Sequence, residues 1–246
     1  MRKVDSTMKV IKDDIEINRN NEIIKSNIKT IKNNIVEICK TIKRNPDDIV
    51  LIAVSKTKPI EDIYEVYNNG IRDFGENRVQ EIIEKYDKLP NDIKWHMIGH
   101  LQSNKVKYII DKVTMIHSVD SIKLANQINS EAIKHNLTMD ILLEVNVSGE
   151  TSKFGFKVDE VYNAMTEIGE MTNVNIKGLM TVAPFTEVPE DVRCYFRELR
   201  ELLVDITKKS TDNSYMLSMG MSVDYAIAIE EGTSHIRIGT GIFGHR

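Results

Sequence analysis

Residues 49–59 read Ile49-Val50-Leu51-Ile52-Ala53-Val54-Ser55-Lys56-Thr57-Lys58-Pro59. Six apolar residues run without a break and are rich in β-branched side chains, which reads as a strand. A polar turn follows, and its proline is suited to opening a helix. A helical pattern then occupies 59–69, and the unit repeats. Strand runs at 71–74, 95–98, 114–119, 140–147, 176–182 and 215–218 alternate with helices expected at 77–88, 103–112, 121–135, 158–171, 189–208 and 222–230. A last strand run covers 235–238.

Strand–helix alternation implies a parallel sheet, and eight repeats imply closure into a single (β/α)8 TIM-type barrel. The rival is an open doubly wound sheet. That fold usually has fewer strands and a glycine-rich first turn, whereas the first turn here is Ser55-Lys56-Thr57-Lys58-Pro59.

Upstream of residue 49, isoleucines fall at 24, 28, 31, 35, 38 and 42. Steps of four and three make one apolar stripe on an additional N-terminal helix, stopped by Asn45-Pro46. A helix packed on the domain fits this run better than a dimer seam, which needs more heptads. It can take the place of the barrel's eighth outer helix. With no linker-like stretch in between, residues 22–246 read as one barrel domain. Residues 1–21 read as an N-terminal extension, a candidate flexible segment.

The chain has 246 residues and a formal net charge of −4, without the clustered positive charge of a nucleic-acid surface. Its two cysteines, Cys39 and Cys194, are far apart and do not suggest a disulfide framework or a zinc site. No apolar run approaches membrane-spanning length, and residues 1–20 lack the apolar core of a signal peptide. A cytoplasmic location is expected.

In such barrels the active groups sit at the C-terminal ends of the strands, and phosphate is held by the loops after strands seven and eight. Applied here, the rule selects Lys56 after strand one, Ser218-Met219-Gly220-Met221-Ser222 after strand seven, and Gly239-Thr240-Gly241 after strand eight. Gly239, Gly241 and Gly244 spell G-x-G-x-x-G, but no following helix and strand complete a dinucleotide unit. What remains is a glycine turn whose N–H groups can approach an anion, with Ser218 as a hydroxyl donor and a helix starting near Ser222. Lys56, partly desolvated beside Arg237, would favour its neutral amine, the form that attacks an aldehyde to give a Schiff base. Lys58 precedes Pro59 and is the lesser candidate. Met180 and Thr181 end strand six and are candidates for the pocket; Glu76 and Asn77 end strand two, where Asn77 is a candidate donor. His96 and His100 are four apart but flank a strand end and Gly99, so no metal site is assigned.

Six ordered motifs carry a family resemblance. They are Ala53-Val54-Ser55-Lys56-Thr57-Lys58-Pro59, Phe74-Gly75-Glu76-Asn77-Arg78-Val79-Gln80-Glu81, Trp95-His96-Met97-Ile98-Gly99-His100-Leu101-Gln102, Gly178-Leu179-Met180-Thr181, Leu217-Ser218-Met219-Gly220-Met221-Ser222 and Arg237-Ile238-Gly239-Thr240. Together they resemble the pyridoxal phosphate homeostasis protein family, from about residue 26 to 246. The resemblance implies the barrel of the alanine racemase N-terminal domain. It implies pyridoxal 5′-phosphate (PLP) as a reversible Schiff base on Lys56, its phosphate held by Ser218, Gly239 and Thr240, and Arg237 at the ring nitrogen. Asn77 and Met180 complete the expected cofactor-binding set, with no catalytic residue assigned. Members of the family are regarded as PLP carriers or regulators, with PLP-dependent enzymes as clients and a monomer or weak homodimer as the expected state. The alternative is a PLP-dependent amino-acid racemase. That reaction needs a second acid/base, which alanine racemase takes from a further domain that this sequence does not include.

Overall fold

The computed structural model describes residues 2–208 and 215–244, with side chains from residue 19 onward. Eight strands run in order round a closed parallel barrel. They are β1 (Val50–Val54), β2 (Asp73–Glu76), β3 (Lys94–Met97), β4 (Met115–Val119), β5 (Met139–Glu144), β6 (Val174–Met180), β7 (Met216–Ser218) and β8 (His235–Ile238). The helices are α1 (Arg2–Thr41), α2 (Ile60–Asn68), α3 (Val79–Tyr86), α4 (Ile122–Lys134), α5 (Val161–Gly169), α6 (Arg193–Thr207), α7 (Tyr225–Glu230) and the short α8 (Thr240–Phe243). The expected barrel is therefore present, strand for strand.

Successive strand residues face opposite sides, and this divides the interior into two cores. Ile141, Leu143 and Leu179 point outward into the main core beneath the helices. Their neighbours Leu142 and Met180 point inward, where with Met115 they form a small plug inside the barrel. Many of the other inward positions are polar, among them His96, His117, Ser218, His235 and Arg237, all buried.

Helix α1 buries Ile24, Ile28, Ile31 and Ile35 of the stripe seen in the sequence, with Cys39 beside them and Ile38 and Ile42 partly buried. It packs on α2, α7 and α8 and so fills the outer ring between the last strand and the first. The helix continues unbroken back to Arg2, so residues 2–21 belong to the same element.

Two expectations change. The helix at 103–112 is a 3-10 segment, Ser103–Tyr108. Buried Val106 and Ile109 are three apart, a spacing that a 3-10 turn satisfies as well as an α-helix. Helix α7 opens at Tyr225 rather than near Ser222, because residues 221–224 form a turn in which Met221 N–H donates to Asp224 Oδ1 at 2.5 Å. Among the described residues no helix is long and apolar enough to cross a membrane.

Candidate functional site at the barrel mouth

Strand register brings distant parts of the chain to one rim. Ala53 pairs with Ile238, so the segments leaving β1 and β8 emerge side by side. A cavity of about 550 Å³ opens there, lined by Lys56, Asn77, Ser222, Arg237, Gly239 and Thr240 among others. A small organic phosphate fits that volume.

Lys56 is exposed at the cavity edge, not partly desolvated as the sequence suggested. The loop that carries it is firmly tied. Thr57 has a left-handed φ of +62°, unfavourable for a β-branched residue. Its N–H donates to Glu81 Oε2 at 2.6 Å. Below it, the Lys85 ammonium donates to the Ser55 carbonyl (2.9 Å), Glu76 Oε1 (2.8 Å) and Glu81 Oε2 (3.0 Å). Ser55 Oγ also donates to Glu76 Oε1, at 2.6 Å. Glu76 thus faces outward under α3, not into the pocket. Burial, with Oε2 left without a partner, pushes its carboxyl up to about 7 against the pull of Lys85.

Asn77 is half-buried on the cavity wall, and the chain of β3 passes close behind it. A Cβ on Gly99 would lie 2.6 Å from the Asn77 carbonyl oxygen, so only glycine permits that approach.

Arg237 forms part of the floor and is 4% exposed. It is neither a surface arginine nor paired directly to a carboxylate: it donates to Ser218 Oγ (2.6 Å) and the Thr181 carbonyl (2.8 Å). Burial lowers it to about 10, offset by Glu144 and Asp224, so it stays cationic at neutral pH. Nearby Glu144 is pushed up to about 7 by burial and by Asp120, against the attraction of Arg237.

Two of the expected cofactor contacts lie elsewhere. Ser218 pairs with His235, the first residue of β8, and so sits two residues below the level of Arg237. Its hydroxyl is wholly buried and engaged with Arg237 and His117. Met180 pairs with Ser218 and is buried in the inner plug. Neither lines the cavity. The serine of this segment that does is Ser222, four residues on, where its Oγ accepts the Gly241 N–H at 3.1 Å. The chain climbs from Ser218 to Ser222 through Gly220, whose φ of +91° and whose 2.5 Å approach to the Ala228 Cβ exclude a side chain. A rule that takes the first hydroxyl at a strand end misses Ser222. The glycine turn between the two serines was the available signal.

The chemistry of this donor set can be tested against one small molecule. A primary amine stands at one edge. At the other a glycine turn and the Ser222 and Thr240 hydroxyls suit an anion. A guanidinium lies between them. These groups fit a phosphorylated aldehyde with a basic ring atom, and PLP is such a molecule.

Fold and rim together define a cofactor-binding (β/α)8 barrel of the alanine racemase N-terminal type. The family model described as alanine racemase, N-terminal domain, matches residues 24–246. Over 213 residues the chain is 46% identical to the pyridoxal phosphate homeostasis protein of Aquifex aeolicus, covering 86% of this chain and 93% of that one. The homologue of the same name from Synechocystis is 40% identical, over 82% of this chain and 93% of its own. PipY of Synechococcus elongatus, solved with PLP bound, superposes with a TM-score of 0.75 at 34% identity, covering 85% of this chain and 100% of PipY. The chain belongs to the pyridoxal phosphate homeostasis protein family.

Proposed function

We propose that this chain binds PLP at the β1–β8 mouth and serves intracellular PLP homeostasis, holding the cofactor as a reversible Schiff base on Lys56. The observation that carries the reading is the shared cavity of Lys56, Arg237, Ser222, Gly239 and Thr240, in a chain one-third identical to a PLP-bound relative.

When bound, PLP supplies an aldehyde that condenses with a primary amine and releases water, a covalent attachment that water or another amine reverses. The Lys56 amine is the attacking group. Ser222, Gly239 and Thr240 hold the phosphate, and Asn77 is placed to donate to the phenolic oxygen. The Arg237 guanidinium can only donate hydrogen bonds, so it favours an unprotonated ring nitrogen. That weakens the ring as an electron sink and suits holding the cofactor better than carbanion chemistry.

Residues 22–246 are read as the PLP-binding domain, with 1–21 as an N-terminal extension; the family model begins at residue 24. PLP-dependent enzymes are the proposed clients. A cytoplasmic location is in keeping with two unpaired thiols, Cys39 and Cys194.

The test is retention and transfer. Protein loaded with PLP and passed through a desalting column should keep about one equivalent, then restore activity to an added apoenzyme. Loss of all PLP on the column would contradict the reading.

A further inference from the structure

Beneath the cavity a line of polar side chains crosses the inside of the barrel. Asp73 Oδ1 lies 3.0 Å from His96 Nε2, and His96 Nδ1 lies 2.9 Å from His117 Nε2. His117 Nδ1 lies 2.9 Å from Ser218 Oγ, which accepts from Arg237 Nη1 at 2.6 Å. His96, His117, Ser218 and Arg237 are at most 4% exposed, while the Asp73 side chain reaches 21%.

The two ends fix the direction of every bond. A guanidinium only donates and a carboxylate only accepts. Ser218 Oγ accepts a hydrogen bond from Arg237, and its own hydroxyl donates to His117 Nδ1. His117 then donates from Nε2 to His96 Nδ1, and His96 donates from Nε2 to Asp73. In this order each atom is satisfied and both imidazoles are neutral. The opposite order needs an imidazolium at His96, paired with Asp73, and leaves the buried Ser218 hydroxyl proton without an acceptor among the described residues, which is the costly part. Burial also holds His117 well below its ordinary value, with His96, His235 and Arg237 acting in the same sense.

We propose that Asp73, His96 and His117 are positioning residues for Arg237. Through Ser218 they fix the guanidinium from below and leave its remaining donors for the cofactor. Both direct acceptors of Arg237 are uncharged; Glu144 and Asp224 act on it through space, and the chain adds the polarisation that Asp73 imposes on Ser218. This assignment rests on the reading of the mouth as a PLP site.

The experiment has two arms. In the unloaded protein, ¹⁵N NMR of labelled histidine should show His96 and His117 both neutral and protonated at Nε2. A protonated Nδ1 on His117, or an imidazolium at His96, would overturn the relay. In PLP titrations, Ser218→Ala should weaken binding roughly tenfold, the loss expected for one charge-assisted hydrogen bond. It should also move the visible band of the lysine-bound cofactor, and Ser218→Thr should restore both. Asp73→Asn keeps an acceptor but removes the charge, and should move the band in the same direction by less. A purely structural role would leave the band in place. A band indifferent to all three substitutions would overturn the relay alone. The lack of any band in the unaltered protein would sink the cofactor reading and the relay's purpose with it.

Discussion

The ammonium of Lys85 lies 2.9 Å from the carbonyl oxygen of Ser55, on the residue that precedes Lys56. The same ammonium holds Glu81 at 3.0 Å, and Glu81 holds the N–H of Thr57 on the other side. One buried cation on α3 therefore ties both flanks of the amine-bearing residue. An exposed lysine on a loose loop would sample many positions. Here the backbone beneath it is fixed, and only the side chain is free to move.

Lys85→Met should be strongly destabilising. It takes the donor from the Ser55 carbonyl and from Glu76, 0% exposed, whose carboxyl, already pushed up to about 7, must then hold a proton. The expected loss in urea unfolding is about 3–5 kcal/mol. Adding Glu76→Gln should recover most of it. A loss below about 1 kcal/mol for the single substitution would contradict this account of the loop.

Ser222→Ala should weaken PLP binding by roughly ten- to a hundredfold, as expected for a hydroxyl donating to a dianionic phosphate. Absorbance titration measures it. Ser222 stands on a half-buried rim, so the unloaded protein should melt within a few degrees of the original. An unchanged affinity would return the phosphate to the glycine turn and Thr240 alone.

Gly220→Ala should harm both stability and binding. Its Cβ would meet the Ala228 Cβ at 2.5 Å, on backbone at φ +91°. The cost should exceed about 1 kcal/mol, read from thermal or urea unfolding. The turn that lifts Ser222 to the rim should shift as well, lowering PLP affinity. Wild-type stability would show that the turn has slack the structure does not display.

Glu144→Gln should raise stability at alkaline pH more than at acid pH. The folded carboxyl sits near 7, above its ordinary 4.5, because burial and Asp120 disfavour its charge. A raised folded value contributes stability that is complete below about 4.5 and is lost as pH climbs through 7. Glutamine stays neutral throughout. The variant's advantage in the unloaded protein should therefore grow between pH 5 and pH 8, towards about 3 kcal/mol. An equal difference at both pH values would contradict the buried, proton-holding Glu144.

Much of this was legible in the sequence because apolar runs and helical stripes alternate so regularly. All eight strands and the α1 stripe fall where the pattern puts them. The site was legible in part. Lys56, Asn77, Arg237, Gly239 and Thr240 meet at one cavity, since parallel strands of similar length deliver their ends to one rim. Ser218 falls short of it because β7 is only three residues long and ends low against His235, and Met180, paired with it on β6, points into the inner plug. The inner relay was not legible. His96 reads with His100 as half a metal motif, and His117 stands singly between Ile116 and Ser118. Only barrel closure brings β2, β3, β4, β7 and β8 to a common axis.

The most direct test of the central claim is chemical trapping. Protein incubated with PLP should show a visible absorption band that borohydride abolishes, and digestion should place the reduced pyridoxyl group on the peptide containing Lys56. Lys56→Ala should give neither band nor label. A label spread over surface lysines, or an unaltered band in Lys56→Ala, would contradict the account.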